Sequence, residues 1–162
     1  MFVANNADSD GGISGLDNSC ANDSNKPSGG TYKAMVVDGT NRIACTTANC
    51  SGGTSEHTDW VLKPDKEYRR KDGSTVIGTT NSNGIFTFPV STGVAEYNGG
   101  TFSITLTALE ADWTSSTNDC GNFTLTSGSY GTGNFSENTS TMINWATSGC
   151  TGVATHIICV EQ

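Results

Sequence analysis

The sequence is poor in the residues that usually fill a protein core. Leu, Ile, Val and Phe together number 28 of 162 residues, and there are only 3 prolines. No apolar run approaches the roughly 18–20 residues that a transmembrane helix needs. Positive charge is also scarce, with 8 Lys and Arg against 16 Asp and Glu, which gives a net charge of -8. These shortages exclude a membrane span, a coiled coil and a helical bundle, and they argue against binding to nucleic acid or anionic membranes.

Small polar residues and cysteines are abundant instead. Gly, Ser, Thr and Asn make up 77 of the 162 residues, and there are 6 cysteines. A chain with so small a core can still fold when disulfides reduce the conformational entropy of its unfolded state. The composition therefore predicts one loop-rich, disulfide-stabilised domain over residues 1–162, from an oxidising compartment.

The first residues of the sequence do not have the pattern of a signal peptide. The chain turns polar after Ala4, which is too early for the apolar segment of a signal peptide. If the protein is exported, we expect that its targeting segment has been removed and that Met1 is the start codon of a shortened version.

Periodicity and turn residues predict short elements of both kinds. Ser14 followed by Asp17 resembles a capping box and predicts a short helix that ends before Pro27. The alternation of apolar and polar residues in Thr101–Thr107 indicates a strand with one buried face. Strands are also predicted over Phe2–Asn5, Tyr32–Val37 and His156–Val160, and a hairpin over Glu67–Ile77 turns at Asp72–Gly73. Polar loops are predicted over residues 40–59 and 114–140. One helix with several short strands indicates an α+β fold with mostly antiparallel sheet.

The cysteines do not reveal their partners by spacing alone, because 6 cysteines allow many pairings. Cys20 falls on the predicted helix and Cys159 on the last strand, while Cys120 and Cys150 flank the long polar loop. A zinc site would require a C-x-x-C or Cys/His cluster, and the sequence has none.

Several segments resemble the endostatin domain, and nearly the whole chain resembles the bacterial endostatin-like domain of leptospiral endostatin-like surface proteins. The segments similar to endostatin are Gly11–Cys20, Gly30–Ala34, Leu62–Pro64, Lys71–Gly73, Ser148–Cys150 and His156–Glu161. The segments similar to the bacterial domain include Thr46–Cys50, Trp60–Leu62 and Gly78–Asn81.

The resemblance implies a C-type-lectin-like fold with adjacent N- and C-terminal strands. It also implies the nested disulfides Cys20–Cys159 and Cys120–Cys150, and it leaves Cys45–Cys50 as a local clamp. Some properties of related domains are not expected here. No histidine precedes His57 to form the zinc site of endostatin, and the acidic chain lacks a heparin-binding arginine cluster. Lys63-Pro64-Asp65 and Trp113-Thr114 do not match the calcium motifs of sugar-binding C-type lectins.

The clearest local indication of a binding site in the sequence is a run of basic residues. It comprises five of the 8 basic residues, Lys63, Lys66, Arg69, Arg70 and Lys71. Alternation along a hairpin would place Lys66 and Arg70 on one face of the hairpin. Glu67, Arg69 and Lys71 would lie on the other face. An exposed basic strip on an acidic protein could dock acidic or sulfated host ligands. The alternative is a solvated hairpin whose charges prevent pairing between sheet edges.

The segment Asn6–Asp17 partly matches an EF-hand calcium loop. Asp17 is shorter than the usual final glutamate, Asn6 is neutral, and the predicted element before the loop is a strand. A glycine-rich turn with an aspartate helix cap is the competing interpretation, so calcium is kept only as a weak alternative and no other cofactor or metal is expected.

An enzyme is not predicted. His57 and Asp59 lack a nucleophile, the cysteines are expected to be oxidised, and His156 falls in a predicted core strand. The tryptophans Trp60, Trp113 and Trp145 are expected in the core.

We therefore predict a non-catalytic, surface-exposed bacterial binding domain. The resemblance implies lipid anchoring of the full-length protein on the outer membrane, or secretion. It also implies partners among host proteins, namely laminin, fibronectin, complement factor H or plasminogen. The alternatives are a structural cell-envelope module without a host ligand and a calcium-dependent carbohydrate binder.

Overall fold

A computed structural model describes residues 1–7, 9–96, 103–150 and 155–162. Within them the chain forms eight strands and two helices, so the predicted α+β class is confirmed. In chain order these are β1 (Phe2–Ala7), α1 (Gly12–Asn22), β2 (Tyr32–Ala34), β3 (Glu67–Arg69), β4 (Val76–Thr79), β5 (Ile104–Leu106), α2 (Cys120–Phe123), β6 (Ser129–Asn134), β7 (Ala146–Gly149) and β8 (Thr155–Glu161). Short 3-10 turns span Ala48–Cys50, Gly53–Glu56 and Ser140–Met142.

Six strands form one sheet in the order β1-β8-β5-β6-β7, and β2 also pairs with β8. The described pairings are antiparallel except for the one between β5 and β8. Phe2 of β1 lies opposite Cys159 of β8, so the two terminal strands are neighbours, as the resemblance implies. The strands β3 and β4 form a separate antiparallel hairpin.

Three disulfides stabilise this arrangement, and they are the pairs that the resemblance implies: Cys20–Cys159, Cys45–Cys50 and Cys120–Cys150. The first ties α1 to β8 and closes a loop with a sequence separation of 139 residues. A chain-entropy model gives a loop of that length about 5 kcal/mol of stabilisation. The covalent contribution therefore compensates in part for the small apolar content of the chain.

The start of α1 corrects the predicted capping box. The helix begins at Gly12 after Gly11, and no described side chain caps it. Asp17 does not reach back to the helix start, because its carboxylate accepts hydrogen bonds from the backbone of Ala34 and from the Arg42 guanidinium. The carboxylate one turn into this helix therefore makes a tertiary contact instead of a cap.

The short element α2 corrects the prediction of a single helix. It is one turn, and Cys120, Asn122 and Phe123 all have positive φ angles between 52° and 58°. A single left-handed turn has no helical repeat of apolar residues, so its sequence is indistinguishable from that of a polar loop. Asparagine and the intervening Gly121 tolerate this conformation better than most residues.

The strand β5 is buried on both faces, which corrects the predicted half-buried strand. Residues 101 and 102 of that prediction lie outside the described residues. Thr105 and Leu106 point to opposite faces, and both are fully buried because β5 lies between β8 and β6. The neighbouring Thr107 is buried too, and its hydroxyl donates to the Ile143 carbonyl at 2.7 Å. In the sequence, these threonines look like the solvent-facing residues of an amphipathic strand, although they are buried and their hydroxyls are hydrogen-bonded.

The strand β6 corrects the predicted loop over residues 114–140. Its glycines allow close approach of other backbone segments: a Cβ at Gly133 would overlap the Met142 carbonyl, and one at Gly131 would lie 3.1 Å from the Ala108 Cα. The small residues that suggest a loop are required by close packing in the sheet. The strand β7 pairs with β6, and its composition hides it from sequence analysis in the same way.

The predicted strand Tyr32–Val37 is shorter in the structure, because β2 ends at Ala34. The segment continues through the core: Met35 N donates to Ile158 O at 2.8 Å, and Val37 N donates to Thr107 O at 3.0 Å. The segment thus passes from β8 to the end of β5 without forming a longer ladder with either strand.

Two of the three tryptophans lie in the core as predicted. Trp60 and Trp113 are buried, whereas Trp145 is 48% exposed, so the prediction for Trp145 is wrong. In the described part of the chain, the helices are too short or too polar to cross a membrane.

Candidate functional site

The hairpin that carries the basic run is present, and Asp72 holds its turn. The Asp72 carboxylate accepts hydrogen bonds from the backbone N–H groups of Ser74 and Thr75 at 2.7 and 2.8 Å, and from both of their hydroxyls. These bonds, above all the one from the Thr75 hydroxyl, hold the pKa of Asp72 well below its usual range. Gly73 has a φ of 74°, a conformation that favours glycine. The turn is therefore fixed by local chemistry.

The Arg70 side chain is mostly buried, which corrects its predicted exposure on the basic strip. Its side chain is only 13% exposed. The guanidinium donates to the Gly93 carbonyl at 2.9 Å and to the Thr92 hydroxyl at 2.7 Å, and it pairs with Glu96 at 3.1 Å. A β-bulge between Tyr68 and Arg69 interrupts the simple alternation from which the two faces were predicted.

The other four residues of the basic run, Lys63, Lys66, Arg69 and Lys71, are exposed. The Arg69 guanidinium pairs with Glu67 at 2.7 Å and donates to the Gly73 carbonyl at 3.1 Å, while the side chains of Arg69 and Glu67 remain more than two-fifths exposed. The Lys66 ammonium lies 5.3 Å from the Tyr68 ring centroid. The Lys71 ammonium donates to the Asn25 amide oxygen at 3.0 Å. Water and a partner can therefore reach these cations.

Lys26 joins this surface from a distant part of the sequence. Its ammonium lies 5.7 Å from the Tyr32 ring centroid, and its neighbour Asn25 bonds Lys71. The separation of Lys26 from the basic run hides it from sequence analysis, and no local pattern reveals it. We call the set Lys26, Lys63, Lys66, Arg69 and Lys71 the cationic face.

A groove of about 360 Å³ lies within the cationic face. One wall is the hairpin from Lys66 to Gly73, and the other includes Pro27, Tyr32 and Glu161. Glu67 and Glu161 also line it, so the groove itself has mixed charge, while the lysines extend its positive edge. The arrangement suits a ligand that presents several separated negative charges to the rim.

The two remaining cations, Lys33 and Arg42, pair with carboxylates. Arg42 is fully buried and makes paired bonds to Asp17 at 2.9 and 2.8 Å, two bonds to Asp59 at 3.1 and 2.5 Å, and one to the Ala34 carbonyl. Lys33 pairs with the other oxygen of Asp59. Burial alone would raise the pKa of Asp59, but the hydrogen bonds from Lys33 and Arg42 hold that pKa below its ordinary value. We call the side chains of Asp17, Lys33, Arg42 and Asp59 the ion cluster.

The ion cluster bears on the weak calcium alternative for the segment Asn6–Asp17. Both carboxylate oxygens of Asp17 are bound by Arg42, so the last position of the loop has no carboxylate oxygen left free of this pairing. Residue 8 lies outside the described residues, as does the side chain of residue 6. Among the described residues, no group of three or more His, Cys, Asp or Glu side chains is arranged to hold a metal ion.

His57 and Asp59 lie in different environments. Asp59 belongs to the ion cluster, whereas the His57 Nε2 lies 3.7 Å from the Cys50 Sγ and its ring meets Trp60 edge to face. Burial lowers the pKa of His57. The six cysteines are all in disulfides. His156, expected in a core strand, lies on β8 but is only partly buried, beside the Phe135 ring.

Comparison with known protein families places most of the chain in one of them. The family described as "Protein of unknown function (DUF1554)" matches residues 4–141. The chain belongs to this family. The matched segment contains α1, the ion cluster and all of the cationic face, and it ends before β7 and β8. No curated protein and no solved structure matches the chain.

Proposed function

We propose that this member of the DUF1554 family is a non-catalytic binding domain that docks acidic surfaces of other proteins through its cationic face. One observation carries the proposal. Of the 8 basic residues, Lys33, Arg42 and Arg70 are at least partly buried and ion-paired. Four of the other five, Lys63, Lys66, Arg69 and Lys71, are exposed on or beside one hairpin, and the partly buried Lys26 follows Asn25, which bonds Lys71. A protein with a net charge of -8 thus offers its available positive charge on one face.

The charge distribution determines how such docking would work. An acidic partner is repelled by the protein as a whole, so attraction is confined to contacts near the cationic face. Charges on exposed surfaces interact over a Debye length of about 8 Å at physiological ionic strength. Binding through this face is therefore expected to be sensitive to salt and specific in orientation.

We further propose a C-type-lectin-like, endostatin-like fold for the domain. The adjacent terminal strands, the helix tied to β8 by Cys20–Cys159 and the nested Cys120–Cys150 pair support this assignment, because the resemblance implies each of them. An outer-membrane surface location agrees with three disulfides, which persist in oxidising compartments.

The proposed partners are host extracellular proteins, as the resemblance implies. They include the matrix proteins laminin and fibronectin and the plasma proteins factor H and plasminogen. The cationic face supports the general chemistry of an acidic protein ligand, and the choice among these four is left to experiment.

The test is binding of the oxidised protein to laminin, fibronectin, factor H and plasminogen at low and physiological ionic strength. The variant Lys66→Gln/Arg69→Gln/Lys71→Gln removes three exposed charges and spares Arg70. Lys33→Gln is the matched control, because it removes a charge outside the cationic face. We expect saturable binding to at least one partner, lost in the triple variant and kept in the control.

Two other results would count against the proposal. Binding that the triple variant retains would move the site away from the cationic face. Absence of binding to all four proteins would favour a structural cell-envelope module without a host ligand.

A further inference from the structure

A second cleft, of about 370 Å³, shares no lining residue with the groove of the cationic face and differs from it in chemistry. Its lining brings together residues from four segments: the loop clamped by Cys45–Cys50, the segment after β4, the loop after β5 and the turn before β7. They include Asn49, Asn81, Thr87, Phe88, Trp113 and Ser140. We call it the aromatic cleft. Its volume lies at the small end of the range for ligand sites.

The aromatic cleft has a rigid aromatic wall. Phe88 stacks on Trp113 with ring centroids 5.6 Å apart and an angle of 4° between the ring planes. Trp113 is itself fixed by edge contact with Trp60 at 6.1 Å and by Phe86 at 6.4 Å. Phe88 is only partly buried, so one aromatic side chain is held in place from behind while part of it still meets solvent.

The polar groups of the cleft are neutral and available. The Asn81 Oδ1 accepts from the backbone of Asn83 at 2.9 Å, which orients the amide. Within the described part of the chain, the Asn81 Nδ2 and the side-chain polar atoms of Asn49, Thr87 and Ser140 make no hydrogen bond. Amide and hydroxyl groups that converge on an aromatic wall can fix the orientation of a ligand.

Charge distinguishes the aromatic cleft from the groove of the cationic face. None of the described residues that line it is charged, although the chain has 24 charged residues. The nearby Asp112 carboxylate is engaged by the backbone N–H and the hydroxyl of Thr114, at 3.1 and 2.6 Å. A charged ligand would therefore lose hydration without gaining an ion pair, which favours a neutral one.

We propose that the aromatic cleft binds a neutral saccharide. A pyranose ring has a face of C–H bonds that packs on an aromatic ring, and its hydroxyls both donate and accept hydrogen bonds at its edge. Phe88, backed by Trp113, supplies the ring, and the asparagine and hydroxyl side chains supply the edge contacts. No cation takes part, so this site is separate from the calcium-dependent alternative.

The test titrates the oxidised protein with uncharged trisaccharides of glucose, galactose, mannose and N-acetylglucosamine. Binding is followed by calorimetry and by tryptophan fluorescence in a Trp145→Phe background, where the two remaining tryptophans are buried. We expect at least one saccharide to bind with a Kd of about 1 mM or tighter. Phe88→Leu, which keeps an apolar side chain but removes the ring, is expected to weaken binding about tenfold with little change in Tm.

Control variants separate the aromatic cleft from the cationic face and from a calcium site. Thr79→Ala removes an exposed threonine outside the cleft and is expected to bind like the parent protein, as is the Lys66→Gln/Arg69→Gln/Lys71→Gln variant. A chelator is expected to have no effect. The proposal is overturned if no saccharide in the panel binds, if Phe88→Leu binds as tightly as the parent, or if an uncharged Gly-Ser-Asn peptide binds and the saccharides do not.

Discussion

Arg42 and Arg69 carry the same guanidinium group, but they lie in opposite environments. Arg42 is fully buried, with its donors directed to two aspartates and a carbonyl. Arg69 is 49% exposed and pairs with a glutamate that is similarly exposed. The first cation holds elements of the core together, whereas the second lies at the surface.

The contrast shows what positive charge does in a chain with few apolar residues. The ion cluster joins α1 through Asp17, β2 through Ala34 and the loop after β2 through Arg42 and Asp59. A buried charge is tolerated only when its partners replace the lost hydration. The cations of the cationic face make contacts near the surface instead, such as Arg69 with Glu67 and Lys71 with Asn25, so we expect these charges to contribute little to stability.

The largest expected effect comes from breaking the ion cluster. Arg42→Met leaves Asp17 and Asp59 without their shared partner, and we expect a loss of about 3 kcal/mol in the free energy of unfolding. Urea denaturation measures it. Lys33→Met is the control and is expected to cost less than about 1 kcal/mol, because that ion pair is partly exposed. Equal losses in the two variants would show that Arg42 is not the centre of the cluster.

A smaller effect separates two neighbouring arginines of the same run. Arg70→Ala leaves the Gly93 carbonyl and the Thr92 hydroxyl without their donor, and we expect a loss of about 1–2 kcal/mol. Arg69→Ala is expected to change stability by no more than about 0.5 kcal/mol, because its side chain is exposed. Thermal denaturation of the pair compares them directly. A greater loss for Arg69→Ala would reverse our assignment of the two roles.

The smallest expected effect concerns Glu56. Its carboxylate, like the Arg42 guanidinium, is held by several hydrogen bonds. The Glu56 carboxylate accepts bonds from the Thr47 and Thr46 hydroxyls and from the backbone N–H groups of Thr46, Thr47 and Gly52. These bonds, led by the Thr47 side chain, lower the pKa of Glu56 from 4.5 to about 2.

This pKa predicts a dependence of stability on pH. A carboxyl group with a lowered pKa in the folded state stabilises the protein above its ordinary pKa, and the contribution is lost as the pH falls toward the folded value. We therefore expect the Tm of the parent protein to fall more steeply from pH 4.5 to about 2 than that of Glu56→Gln. Parallel curves would show that the carboxylate bonds do not stabilise the loop.

Sequence patterns predict the elements whose chemistry is local. The terminal strands and the hairpin turn at Asp72–Gly73 follow from apolar runs and turn residues, and the structure contains them. The strand β6 could not be recognised, because its glycines serve contacts with Ala108 and Met142 that exist only in the folded chain. The disulfide pairs follow from the resemblance, since spacing leaves them open.

The candidate sites show the same division. The basic run is visible as a cluster in the sequence, but the surroundings of each member depend on distant partners: the Gly93 carbonyl accepts from Arg70, and the Asn25 amide oxygen accepts from Lys71. The aromatic cleft joins Asn49, Phe88 and Trp113, which are far apart in the sequence. No periodic or spaced motif encodes such an arrangement.

The most direct test of the central assignment is a salt titration of binding to whichever of the four host proteins binds. It compares the parent protein with the Lys66→Gln/Arg69→Gln/Lys71→Gln variant, after equal Tm values have been established. If the cationic face makes the contact, the parent binds most tightly at low salt, and its advantage over the variant shrinks as salt screens the charges. The same affinity and the same salt dependence in both proteins would contradict the assignment.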